Sequence, residues 1–190
     1  IISNGGLITE RIAERLAGYD VRYVQCTLNG PDAAMHAEHV GAGGHFDKTL
    51  RGVKLLRDHG VPVVGCVVVS RINSPVLGEI LDLWHSLGVR SIALSRFSPA
   101  GYAVEHAATL LSSRGLLMEA FEQAAAKARE HDLRISCTMP VPPCVFETND
   151  YAPLEFGHCP IGTSMQEFAL GPDGQLRNCT YRVSCRPNVR

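Results

Sequence analysis

Val61-Pro62-Val63-Val64-Gly65-Cys66-Val67-Val68-Val69-Ser70 is a nearly continuous apolar run, rich in β-branched residues and bounded by Gly60 and Asn73-Ser74-Pro75. A strand apolar at successive positions is buried on both faces, as strands of parallel sheets are. Its surroundings supply the covering helices. Upstream, Phe46, Leu50, Val53 and Leu56 recur at i, i+4, i+7 and i+10, and Gly60 stops the pattern. Downstream, Asn73-Ser74-Pro75 is a cap and proline start for a helix carrying Val76, Ile80, Leu83, Trp84 and Leu87, closed by Gly88. Further strands are predicted at 21–28, 89–97 and 133–139. Further helices are predicted around Ile8, Ile12 and Leu16, and around Leu117, Ala120, Phe121, Ala124 and Ala128. Such alternation builds right-handed βαβ crossovers and a parallel sheet, either open and doubly wound or part of a barrel. Gly41-Ala42-Gly43-Gly44-His45-Phe46 lacks the last glycine of a dinucleotide fingerprint and does not follow a strand, so it reads as a loop before a helix.

The 190 residues suit one ordinary domain with a small appendage. With 45% hydrophobic and 19% charged residues the composition is that of a soluble globular chain, and no apolar run approaches the ~20 residues of a membrane helix. A formal charge of −1 with scattered basic residues gives no reason to expect nucleic acid or membrane as a partner. The chain starts at Ile1 with no initiator Met and no leader, and so reads as part of something longer. Of seven cysteines, five (Cys137, Cys144, Cys159, Cys179 and Cys185) fall in the last 54 residues. A metal or cluster site in a reducing, cytoplasmic compartment explains that asymmetry better than a disulfide scaffold does.

After Met139 the texture changes. Pro140-Val141-Pro142-Pro143-Cys144 ends the alternation, and the remaining stretch is turn-rich, with one hairpin predicted from 165–170 and 175–179 around Gly171-Pro172-Asp173-Gly174. A domain boundary is therefore expected near residue 140, giving segments 1–139 and 140–190. Gaps of 14, 19 and 5 residues separate Cys144, Cys159, Cys179 and Cys185, with no Cys-x-x-Cys knuckle. Structural zinc usually uses such knuckles, whereas an iron–sulfur cluster can draw thiolates from separated loops. Cys144, Cys159, Cys179 and Cys185 are the candidate ligands; Cys144 follows the stiffening pair Pro142-Pro143, and Cys159 lies in a turn before the hairpin whose second strand Cys179 ends. Cys26 and Cys66, inside strands, read as packing residues. His36, His39 and His45 lie in or beside a Gly-rich loop without metal-ligand spacing, and no Gly-x-Ser-x-Gly turn of a hydrolase is present.

Cys159-Pro160-Ile161-Gly162-Thr163 through Gly174-Gln175-Leu176-Arg177-Asn178-Cys179 resembles the opening of a SPASM domain, the auxiliary-cluster module of many radical S-adenosylmethionine enzymes. Three upstream segments resemble barrel-strand ends of the same family, in family order. Ile2-Ser3-Asn4-Gly5-Gly6 is similar to its Thr-Asn-Gly strand end, Thr27-Leu28-Asn29-Gly30-Pro31 to its Ser-Leu-Asp-Gly strand end, and Arg96-Phe97-Ser98-Pro99-Ala100-Gly101 to the strand end closing over the cofactor. The resemblance implies an α/β fold, a partial (β/α)6 TIM-like barrel followed by a small cysteine-rich, mostly irregular SPASM-type module with a β-hairpin. It implies S-adenosylmethionine and [4Fe–4S] clusters as cofactors. Ser3, Asn4, Thr27 and Phe97 are then cofactor-binding residues at carboxyl strand ends, where a hydroxyl can meet a ribose or aminoacyl group and an aromatic ring can cover adenine. Cys144, Cys159 and Cys179 become auxiliary-cluster ligands. Asn29 reads as a turn residue feeding Gly30-Pro31.

There are also departures from the family pattern. No Cys-x-x-x-Cys-x-x-Cys loop for the catalytic cluster occurs, and His36-Ala37-Glu38-His39-Val40-Gly41 stands where relatives have His-Asp-x-x-Arg-Gly. Only Cys185 follows Cys179. In the family, a reduced cluster splits S-adenosylmethionine to a 5′-deoxyadenosyl radical that abstracts hydrogen, often from a peptide being matured. A peptide substrate is accordingly the expected partner. The alternative from another class is a non-catalytic zinc-binding or scaffold domain on an α/β core.

Overall fold

The run at 61–70 forms strand β3, Val63–Val69, near the centre of a six-stranded sheet in the computed structural model. Residues 1–141, 145–164, 166, 168–172 and 174–179 are described. The other strands are β1 (Ile2–Ser3), β2 (Val24–Thr27), β4 (Ser91–Arg96), β5 (Arg134–Cys137) and β6 (Glu155–Phe156). Each pairs in parallel with the next, and their spatial order is β1-β2-β3-β4-β5-β6. A doubly wound sheet reverses its order at a switch point. This one does not, so right-handed crossovers carry the chain steadily in one direction with the helices along one face, as in an arc of a (β/α) barrel. Strand order thus decides between the two architectures that periodicity left open.

The helices are α1 (Glu10–Ala17), α2 (Ala33–Val40), α3 (Phe46–Asp58), α4 (Leu77–Ser86), α5 (Ala107–Leu110) and α6 (Arg114–His131). Register places Cys26, Gly65, Ile92 and Ile135 level on neighbouring strands, and all four are buried. That row faces the helices. A Cβ on Gly65 would lie 2.7 Å from the fully buried Trp84 ring of α4, so the absence of a side chain there makes room for the indole.

Helix α2 has no apolar stripe to announce it in the sequence, yet its local signals are ordinary. Asp32 accepts a hydrogen bond from the Met35 amide at 2.9 Å as N-cap, and Gly41 ends the helix at φ +71°. His36 and His39 therefore sit on a helix rather than in a loop. Asn73-Ser74-Pro75 does not cap α4 directly either. Ser74–Val76 forms a 3₁₀ turn, and the Asn73 side chain is turned back to bond β3.

The boundary expected near residue 140 lies further on. The first compact unit is Ile1–Gly157 and the second His158–Arg190. Phe121 of α6 meets Phe146, Tyr151 and Phe156 edge-on at centroid distances of 5.7, 5.5 and 5.3 Å, and β6 pairs with β5. Aromatic packing and a sixth strand thus hold 145–157 to the α/β unit despite its turn-rich composition. In the second unit, β7 (Ala169–Leu170) and β8 (Leu176–Arg177) form the expected antiparallel hairpin.

On the outer helices, Lys127 Nζ lies 2.8 Å from Asp82 and 2.9 Å from Glu130, and His131 Nε2 lies 2.6 Å from Asp82. Asp82, Glu130 and His131 are the one group of three potential metal ligands among the described residues. The Lys127 ammonium already supplies its positive charge. Burial alone would raise the Asp82 carboxyl, but hydrogen bonds from Lys127 and His131 outweigh it and hold the group below its ordinary value. A carboxylate depressed in this way adds stability above its unfolded pKa, and the contribution is lost as pH falls through the lower folded value. Asp82→Asn is expected to lower the urea midpoint at pH 7, with the gap from the parent closing below about pH 4.

Candidate functional site

The sheet's second face carries the row Thr27, Cys66, Ala93, Ser136 and Glu155, level with one another in the register. Gln25 pairs with Val64 below it and Val68 with Ser95 above it. Hydroxyl and amide side chains thus line a face from which the opposite row of apolar residues has turned away to meet the helices. Gln25, Thr27, Ser95 and Ser136 are half-buried. A cleft of about 550 Å³ opens over Gln25, Val64, Ala93, Ser136 and Thr138. Ser136 Oγ donates to Glu155 Oε2 across 3.0 Å at its margin.

Thr27 ends β2 on this face, at the carboxyl end where parallel α/β barrels place their chemistry. Ser3 ends the adjacent strand β1, but register sets it level with Cys26, on the helix-facing side. Its Oγ accepts the Gly5 amide at 3.1 Å, closing a short turn. Asn4 is exposed, and its Oδ1 accepts the Gly6 amide at 3.1 Å. Phe97 follows β4 directly, is buried, and donates its amide to the Val69 carbonyl at 2.7 Å. It walls a cavity of about 260 Å³ with Val69, Arg96, Leu117, Val141 and Phe146 at the carboxyl ends of β3 and β4. The four residues therefore all lie at or just beyond carboxyl strand ends, while Ser3 and Thr27 face opposite sides of the sheet.

Asn29, expected to be a plain turn residue, is 5% exposed and bonded through backbone and side chain alike. Its Oδ1 accepts the Val68 amide at 2.9 Å, its carbonyl accepts Asn73 Nδ2 at 3.0 Å, and its amide donates to His36 Nδ1 at 3.1 Å. The Val68 amide lies past the last paired residues of β2, and there side-chain amides take over from the ladder. The signal available in the sequence was the pair Asn29 and Asn73 following two strands, but their partnership needs the register to be known.

The cysteines separate into two groups. Burial pushes the Cys26 thiol up to about 11 and the Cys137 thiol up to about 12. Cys66 is raised by burial as well, partly offset by hydrogen bonds from Thr27 and Gln25. A protonated thiol neither ligates nor reacts readily, so Cys26 and Cys66 remain packing residues in character, although Cys66 faces the cleft side of the sheet. Cys159 is exposed and Cys179 half-buried, both in the second unit. Cys144 lies outside the described residues.

Residues 1–84 match the radical SAM superfamily. Among curated proteins, the chain is 29% identical to an AdoMet-dependent heme synthase of Oleidesulfovibrio alaskensis, over 58% of this chain and 28% of that protein. It is 25% identical to a PqqA peptide cyclase of Granulibacter bethesdensis, over 94% of this chain and 46% of that protein. The chain thus spans less than half the length of these relatives. Among solved structures, native anSMEcpe with bound AdoMet and Kp18Cys peptide matches with a TM-score of 0.57 and 15% identity, covering 68% of this chain and 36% of that one. That likeness concerns the fold: a parallel sheet consistent with a partial TIM-like barrel. Among the described residues, no helix is long and apolar enough to cross a membrane.

Proposed function

Because residues 1–84 match the radical SAM superfamily, we propose that the chain contributes the S-adenosylmethionine-binding and substrate-facing side of an iron–sulfur enzyme that abstracts hydrogen from a peptide. The observation that carries this reading is the sheet itself, wound in one direction, with a polar row on the face away from the helices and Thr27 at its carboxyl rim. Similarity to PqqA peptide cyclases along nearly the whole chain supports a peptide substrate, as does the peptide bound in the similar solved structure. Thr27 would offer its hydroxyl to the ribose or aminoacyl part of the cofactor, and Phe97 a planar wall to the adenine. Asn4, exposed on the neighbouring strand end, can approach from the side. Ser3 would contribute through the turn it closes with Gly5. When bound, S-adenosylmethionine supplies the hydrogen-abstracting radical, and the protein's share is to hold reactants in place and exclude water.

The seven cysteines of this chain do not fit the catalytic cluster, which needs three closely spaced thiolates. Two fit an auxiliary one: Cys159, exposed, and Cys179, half-buried, bracket the hairpin of the second unit. Cys144, the further ligand the sequence offers, lies outside the described residues, and the segment from His158 onward is read as a SPASM-like module. Reconstitution with iron and sulfide tests this against the zinc or scaffold alternative. The protein is expected to take up iron and acid-labile sulfide. The Cys159→Ala, Cys179→Ala double variant should lose most of that iron, while Cys26→Ala keeps it. Zinc without sulfide in the parent, or equal iron in parent and double variant, would refute the cluster assignment.

A further inference from the structure

His36 has no part in the cofactor or cluster assignments, yet it is 4% exposed and its ring is bonded into the rim of the sheet. Its Nδ1 accepts the Asn29 amide at 3.1 Å, which requires a neutral ring with its proton on Nε2. Burial, with His45 nearby, holds the imidazole below its ordinary pKa, consistent with that state. Asn29 lies two residues beyond Thr27 and is fixed at three points: by His36, by the Val68 amide at 2.9 Å, and by Asn73 Nδ2 at 3.0 Å. Asn73 in turn is held to β3, accepting the Ser70 amide at 2.8 Å and donating to the Val68 carbonyl at 3.0 Å. The chain has little room to shift, since a Cβ on Gly30 would overlap the His36 backbone nitrogen.

We infer that His36 is a positioning residue: by bonding the Asn29 backbone it clamps the carboxyl end of β2 against β3 and so sets the Thr27 hydroxyl where the cofactor meets it. This rests on the reading that Thr27 contacts S-adenosylmethionine. Two substitutions separate positioning from packing. His36→Phe keeps a ring against Phe46, whose centroid is 5.8 Å away, but removes the acceptor. His36→Asn gives up the ring but returns an oxygen acceptor close to where Nδ1 stood.

The test is titration of S-adenosylmethionine into the full protein, well below the melting temperature of every variant, with Thr27→Val alongside. His36→Phe is expected to bind about tenfold more weakly, the effect of one buried hydrogen bond, and His36→Asn to restore affinity to within about twofold. Melting temperatures should show the opposite order, because packing favours the ring. Affinity that simply follows melting temperature, or unchanged affinity in His36→Phe while Thr27→Val weakens binding, overturns the inference and leaves the cofactor reading standing. Thr27→Val without effect, or no binding by the parent, overturns the cofactor reading and the inference with it. Asn29→Asp, which keeps the acceptor for Val68, against Asn29→Leu, which does not, gives a second comparison should His36→Phe fail to fold; equal affinities there count against the clamp.

Discussion

Reconstituted with iron and sulfide and incubated with dithionite and S-adenosylmethionine, these 190 residues by themselves are expected to release no 5′-deoxyadenosine above a protein-free control. The reason is coordination chemistry. The catalytic cluster of the superfamily needs three thiolates at close spacing, with one iron left open for the cofactor's amine and carboxylate. The cysteines nearest in sequence here, Cys179 and Cys185, are separated by five residues and belong to the second unit. Cys26, Cys66 and Cys137 are buried in the sheet with raised thiol pKa values, and gaps of 14, 19 and 5 residues separate the other four cysteines, far from the close spacing the catalytic cluster needs. Product above the control would mean that a cluster in the tail has an open site, and the division of roles between the two units would have to be redrawn.

A large effect on stability is expected at Gly52. This glycine lies in α3, where alanine would ordinarily be favoured by about 1 kcal/mol. A Cβ there, however, would overlap the carbonyl oxygen of Gly5 and come within 3.1 Å of its carbon. The obstacle is backbone and cannot rotate away. Thr49, one turn earlier, donates to the Asn4 carbonyl at 2.7 Å, so α3 is seated directly on the turn that follows β1. Overpacking typically costs about 1–3 kcal/mol, and a backbone obstacle belongs at the upper end of that range. Gly52→Ala should therefore lose about 2 kcal/mol net, seen as a lower urea midpoint at unchanged slope. Gly43→Ala, with nothing within 4 Å of the added carbon, should stay within about 0.5 kcal/mol of the parent. Equal midpoints for the two variants would show that β1 and α3 are not packed as described.

What the sequence displayed was the part of the fold that repeats. The β3 run, the stripe from Phe46 to Leu56 and the stripe around Trp84 are each local patterns, and each became the element expected. Strand order is not local, and the choice between open sheet and barrel arc had to await the pairing of β1 through β6. The first unit runs on past 140 to 157 because Phe146, Tyr151 and Phe156, five residues apart and so matching neither a helical nor a strand period, acquire meaning only against Phe121. At the site, Thr27 and Phe97 could be singled out because motif-like segments end predicted strands. The opposite facing of Ser3 and Thr27 depends on a register that no single strand reveals. Asn29 and His36 stayed hidden for the same reason: a side chain that replaces a missing ladder bond looks, in sequence, like a turn residue or a surface histidine.

We propose that the polar face and carboxyl rim of this sheet form one side of a radical S-adenosylmethionine site. The most direct test is 5′-deoxyadenosine formation by the protein extended upstream to include a Cys-x-x-x-Cys-x-x-Cys loop, reduced with dithionite, and compared with its Thr27→Val variant at equal iron content. The account predicts dithionite-dependent product from the extended protein and a clear loss of it in Thr27→Val. No product at full iron loading, or product unaffected by Thr27→Val, would contradict it.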